Sequence, residues 1–163
     1  MNINIKNKFT IHMKNVTKGN ELMLFLDNKS LAQATSHSLS ITGNTIDIAS
    51  KDMGVFGASE IGTITWEITS ENLYTDDYHT LFNTMIARQP VTAVFGQPNN
   101  YNVNGLGDTS TYWTPDASVG AKYYQGPAIV TSLELNAPNG ENATYSITLT
   151  GNGALQQKTV ASE

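Results

Sequence analysis

The sequence predicts an α+β fold, mainly antiparallel β: a β-sandwich or barrel with one flanking α-helix and a long protruding loop. Several segments alternate apolar and small polar residues at period two, as strands do when one face meets a core and the other meets water. One stretch, Tyr78, Leu81, Phe82, Met85 and Ile86, instead repeats at i, i+3, i+4, i+7 and i+8, drawing a single stripe along a helix. Residues 49–60, between two strand patterns, are too many for a tight turn and hold Met53, Val55 and Phe56 among glycines and small residues. Strands, one helix, then strands again is the order of an α+β chain.

Residues 1–18 have weak periodicity and are read as an N-terminal arm, ahead of a β-domain over 19–155 and a C-terminal tail over 156–163. Within the domain, residues 21–27 form a short apolar strand ending at the turn pair Asp27-Asn28, and 31–35 return as a second strand. Residues 36–48 extend further, with Leu39 and Ile41 alternating against Ser38, Ser40 and Thr42. Gly43-Asn44 marks an expected bulge that shifts the parity, because Ile46 and Ile48 fall on even positions. In the next strand Ile64, Trp66 and Ile68 point one way and Thr63, Thr65, Glu67 and Thr69 the other.

Thr75 is the expected N-cap of the helix, with Asp76 and Asp77 at its positive end and Pro90 closing the segment. A short strand follows over 91–95. Residues 98–122, rich in Gly, Asn and Thr, read as an inserted loop or weak hairpin carrying Tyr101, Tyr112 and Trp113. A closing hairpin ends the domain. Leu133 and Leu135 alternate with Ser132, Glu134 and Asn136; Tyr145, Ile147 and Leu149 alternate with Thr144, Ser146, Thr148 and Thr150.

The 163 residues suit one domain. No apolar run approaches the roughly 20 residues of a membrane span, and the first residues lack the apolar stretch of a signal peptide. With no cysteine, the chain has no thiol chemistry. Only 14% of residues are charged, and the net charge is -5. Lys6, Lys8, Lys14 and Lys18 all precede the first acid, Glu21; from there five basic residues face 14 acidic ones, a balance of 5 − 14 = −9. An acidic body speaks against tight nucleic-acid binding, which needs clustered Lys and Arg. The basic arm can touch an acidic neighbour or stay solvated.

Catalytic and metal chemistry find no footing. His12, His37 and His79 are scattered without metal-ligand spacing. Asp76-Asp77 reads as helix-start charge, Gly105-Leu106-Gly107-Asp108 is too short for a phosphate loop, and no serine sits in a nucleophile elbow. The expectation is a protein that is not an enzyme and takes no cofactor and no metal. Tyr101, Tyr112, Trp113, Tyr123 and Tyr124 form the best aromatic cluster. They keep open a rival reading, a carbohydrate-binding β-sandwich, although packing is the commoner use of such residues.

The pattern of four two-faced segments, 36–42, 61–69, 129–136 and 143–150, fits either hydrated outer faces or a wall whose edges pair with copies of itself. A resemblance chooses between them. Residues 31–41 with 45–52, residues 66–73, Asp77-Tyr78-His79-Thr80-Leu81-Phe82, Ala87-Arg88-Gln89-Pro90-Val91 and residues 126–146, most specifically Asn136-Ala137-Pro138-Asn139-Gly140-Glu141-Asn142-Ala143-Thr144, resemble the lactococcal-type major tail tube proteins of siphophages.

That family is similar to the haemolysin-coregulated tube proteins of type VI secretion. The resemblance implies homo-hexameric rings, ring-on-ring stacking around a tape measure protein, contacts with tail-end proteins, assembly in the bacterial host cytoplasm and transient, non-specific passage of DNA. A tube protein of a phage-tail-like injection machine is the nearby alternative. On this reading Ser38, Ser40, Thr63, Thr65, Glu67, Thr69, Ser132, Glu134, Thr144, Ser146 and Thr148 face the lumen, and Met53, Val55 and Phe56 form the ring-stacking loop.

Overall fold

The structure is a computed structural model that describes residues 17–31, 33–99 and 113–161. The expectations for residues 1–16 and for Tyr101 and Tyr112 lie outside the described residues.

After a 3-10 turn at Gly19–Glu21, β1 (Met23–Leu26) and β2 (Lys29–Ser30) form a hairpin. Its two-residue turn, Asp27-Asn28, has positive φ at both positions (48° and 67°). This is the geometry that suits the twist of paired strands, and Asn and Asp tolerate it best after Gly. The returning strand is thus shorter and earlier than residues 31–35. Next come β3 (Ala34–Asp47) and β4 (Ser59–Leu73), a long hairpin joined by the loop that carries a 3-10 turn at Lys51–Met53. Then follow α1 (Asp77–Ile86), β5 (Val91–Gly96), β6 (Lys122–Asn136), β7 (Thr144–Gly151) and β8 (Gln156–Thr159).

All strand pairs are antiparallel, in the order β2-β1-β5-β6-β7-β4-β3. The sheet curls but is not closed into a barrel. Residues 156–159, expected as tail, are a strand: Gln156 to Thr159 pair with Lys122 to Gln125 of β6, in line with β7. Apolar periodicity is absent there, so only the backbone pairing reveals it.

The inner face collects Leu24 and Leu26 from β1, Trp66 and Ile68 from β4, Val91 and Ala93 from β5, Ala128 and Val130 from β6, and Tyr145, Ile147 and Leu149 from β7. Leu81 of α1 closes the core, with Tyr78 and Met85 packed beside it. Phe82 and Ile86, from the same predicted stripe, stay largely exposed. The N-cap expectation is corrected: Asp76, in helical conformation, precedes the helix without a side-chain cap bond. Thr75 instead accepts a turn bond from Tyr78 N–H through its carbonyl, and its hydroxyl is buried with no hydrogen-bond partner.

Trp66 organises one end of the core. Its indole N–H donates to the Gly153 carbonyl at 2.8 Å, and its ring lies over the backbone of Gly126 and Gly151. A Cβ added at Gly126 would stand 2.7 Å from Trp66 Cζ2, so only glycine admits the indole there.

Candidate functional site: a polar sheet face and an unpartnered hairpin

The register sorts the outward residues of β3, β4, β7 and β6 into transverse rows. Ser40, Glu67 and Thr150 form one, ending at Ile129; Ser38, Thr69, Thr148 and Ser132 form the next; Ser36, Glu71, Ser146 and Glu134 form a third. Thr42 beside Thr65 and Thr144 beside Asn136 extend the face at either end. The opposite face of β4 and β7 presents Trp66, Ile68, Tyr145, Ile147 and Leu149 to the core. One alternation therefore produces both the packed side and the wet side.

Hydroxyls on this face pair with one another. Ser38 Oγ and Thr69 Oγ1 are 2.8 Å apart, and Thr131 Oγ1 and Thr150 Oγ1 are 2.9 Å apart. Thr131 is the extra residue of a register shift in β6, between Val130 and Ser132. Ser36 donates to Glu71 Oε2 at 3.4 Å. The face carries three carboxylates, Glu67, Glu71 and Glu134, and neither β3, β4, β7 nor β6 from Ala128 onward contains Lys or Arg. Glu71 and Glu134 lie two strands apart, about 9–10 Å, and flank an open depression of about 270 Å³.

Ten of the eleven residues expected on a wall fall on this face. Thr63, the eleventh, sits in a bulge. Gly43 pairs with Ile64 and Thr45 with Ile61, so Gly62 and Thr63 together oppose Asn44 in a bulge. The bulge expected at Gly43-Asn44 exists, but the extra residue belongs to β4. Thr63 therefore does not continue the rows. Glu71, Ser36 and Thr150 share this face but were not in the expected set; continuing the same alternation two residues past Thr69 finds Glu71.

Beyond Trp66 the β3–β4 hairpin leaves the core. Ile68 is 1% exposed, but Ile64, four residues earlier on the same face, is 61% exposed. Ile41 and Ile61 are exposed on that side too, and Ile46 and Ile48 are exposed as well. The stem shields them only partly: a Cβ at Gly62 would meet Ile46 Cδ1 at 2.7 Å and one at Gly43 would meet Ile61 Cγ2 at 2.9 Å, so each isoleucine lies across a glycine. At the tip, Val55 is 97% and Phe56 85% exposed, with Met53 exposed beside them.

The other candidates do not gather into a site. Tyr123 and Tyr124 are consecutive on β6 and so point to opposite faces, which is no basis for one flat sugar platform. Trp113 hydrogen-bonds through its backbone to Ser30. His79 Nε2 lies 3.2 Å from Tyr74 Oη. His37 sits on the core side of β3, edge-on to Phe95 at 6.4 Å, and burial holds its pKa below the ordinary value. Among the described residues no group of three or more His, Cys, Asp or Glu could hold a metal ion, and no helix is long and apolar enough to cross a membrane.

Comparison with solved structures finds the same fold in several other proteins. A chain of a native gene transfer agent virion superposes with a TM-score of 0.67 at 16% identity, over 88% of this chain and 100% of that one. The cap of the anti-feeding prophage tube gives 0.65 at 16%, over 95% and 99%. The SPP1 tail tube gives 0.62 at 8%, over 89% and 80%. At such identities these are likenesses of fold. No curated protein matches in sequence. The chain belongs to the phage tail tube protein family, whose description matches residues 15–157.

Proposed function

We propose that this protein is the repeating subunit of a virion tail tube: six copies close into a ring, and rings stack around a tape measure protein. The tube meets tail-end proteins at its ends and conducts DNA once the tape measure has left. The observation that carries this reading is the four-strand face of hydroxyls and carboxylates. Curled inward, such a face lines a bore with no cation to hold a phosphate. Unit charges 4 Å apart in water repel by about 1 kcal/mol, and salt screens this beyond about 8–10 Å. Glu67, Glu71 and Glu134 thus keep a polyanion off the wall without forming a barrier to it.

Three further observations support the reading. The sheet ends in open edges, and pairing across copies removes edges. The exposed Met53, Val55 and Phe56 form an apolar tip that a neighbouring ring would cover. A fold relative, from the tail of an empty gene transfer agent particle with C6 symmetry, superposes at a TM-score of 0.66 and 16% identity. Head-to-tail contacts of this kind propagate as filaments.

Cryo-electron microscopy of the purified protein tests it. Hollow six-fold tubes with the Glu67 face inward are the expected result. A monomer at all concentrations, or tubes with that face outward, would overturn it. A contractile sheath around tubes in native particles would move the subunit to an injection machine with the same bore.

A further inference from the structure

We infer that the tip of one copy's β3–β4 hairpin plugs a groove between α1 and the β1–β2 hairpin of a second copy, with Phe56 and Val55 as the plug. The inference rests on the reading of Met53, Val55 and Phe56 as a contact between copies, and it names the seat that receives them.

The first observation is the groove. Leu26, Leu31, Leu81 and Val91 form its floor, and Thr80 and Thr84 form its wall on the helix side. It holds about 380 Å³ and is open among the described residues. An apolar cavity of about 150 Å³ takes a benzene ring. This groove therefore has room for the Phe56 ring with Val55 beside it.

The second is the plug. Val55 and Phe56 are almost wholly exposed, yet the loop that carries them is held in shape. Ile48 N–H donates to the Ala58 carbonyl at 2.9 Å, Met53 N–H to the Ser50 carbonyl at 3.1 Å, and Ala49 N–H to Asp47 Oδ1 at 2.8 Å. Gly54, at a φ of 69°, turns the chain just before Val55. A loop fixed before docking loses little entropy on docking.

The third is placement. Val91 pairs with Ala128, Ala128 pairs with Gly151, and the adjacent Thr150 pairs with Glu67. The groove thus lies level with Trp66, where the stem begins. From Trp66 to Ser59 the stem runs on for about 23 Å. A hairpin paired along that length cannot return its tip to its own groove. A plug and a seat at separate places on one surface join copies head to tail, and such contacts propagate.

Charge favours the match. The groove's rim carries Asp27, Lys29 and Asp77, and the tip carries Lys51 and Asp52, so each side offers both signs to the other. Surface charges of this kind set register more than affinity. Phe82 and Ile86, the other bare apolar pair on the body, lie on the opposite flank of α1 from Thr80 and Thr84 and are the rival seat.

Cysteine bridging tests this cleanly, because the chain has no cysteine of its own. Gly57→Cys, beside the plug, is mixed with Thr80→Cys, on the groove wall, at high micromolar concentration with a flexible bismaleimide. Gly57 has open space around it and Thr80 is exposed, so both variants should keep the fold. The mixed dimer should exceed its statistical share over the two like dimers by about tenfold, because docking raises the effective concentration of the thiols. Phe56→Asp in the first partner, or Thr84→Arg in the second, should return the yield to the statistical share. A statistical yield without those changes would overturn the inference. So would preferential bridging of Gly57→Cys to Asn83→Cys, which seats the plug against Phe82 and Ile86. Electron microscopy of the unmodified protein judges the tube reading separately. An excess of mixed dimer without tubes keeps the docking and sinks the tube reading; tubes with a statistical yield do the reverse.

Discussion

The β3–β4 hairpin is two structures on one pair of strands. From His37 to Leu39 and from Trp66 to Asn72, one face packs on the subunit's own core and the other is wet. From Ile41 to Ile64, across the tip, the strands stay paired but the apolar residues find nothing to cover them. Backbone pairing alone thus suffices to shape the stem, while burial is missing. The body is packed like a finished domain; the stem keeps an exposed apolar surface of the kind that marks interaction sites.

The sharpest way to break this contrast is to truncate one isoleucine on each side of Trp66. Ile68→Ala should cost about 2–5 kcal/mol in urea unfolding of the monomer, as buried Ile-to-Ala changes do. Ile64→Ala should stay within about 0.5 kcal/mol, as exposed changes do. Equal costs would mean that the stem is packed in solution. In tube growth the order should reverse among variants that fold, with Ile64→Ala raising the threshold concentration.

Second, Met53→Asp with Phe56→Asp should stop tubes at single rings while the melting temperature holds. Tubes of ordinary length would take the tip out of the stacking contact. Third, Glu67→Lys with Glu134→Lys should leave particles intact by microscopy but slow DNA release, with the greatest delay at low salt. Normal release kinetics would sink the charged-wall argument.

The smallest effect concerns His37, which belongs to the packed half. Desolvation lowers its pKa, so the unfolded chain binds its proton more readily than the folded one. The sign follows: this stability is fully present above the ordinary value of 6.5 and is lost as pH falls through the folded pKa. Urea midpoints measured from pH 7.5 downward should decline, with a shallower slope in His37→Asn. An unchanged slope would assign the decline to other groups.

Legibility in the sequence divides along the same line. Period-two alternation revealed the strands of the body, the two-faced closing hairpin and ten residues of the polar face, because a half-buried strand leaves its pattern in the residues. It failed where side chains did not decide the outcome. β8 is polar Gln156-Gln157-Lys158-Thr159 and exists through backbone bonds to β6. The bulge at Gly62-Thr63 depends on which strand carries the extra residue, and a single strand's pattern cannot show that. The helix stripe was legible as helix, but Phe82 and Ile86 show that periodicity gives the apolar side and not how much of it the body covers.

Trp66 stands where the packed half of the hairpin passes into the stem, its indole tied to the Gly153 carbonyl. The chain has one other tryptophan, Trp113, by the β1–β2 hairpin. Replacing Trp113 with phenylalanine would leave a single tryptophan, at the junction. Its emission wavelength would then register a tug on the stem as subunits join, giving a dye-free optical clock of polymerisation.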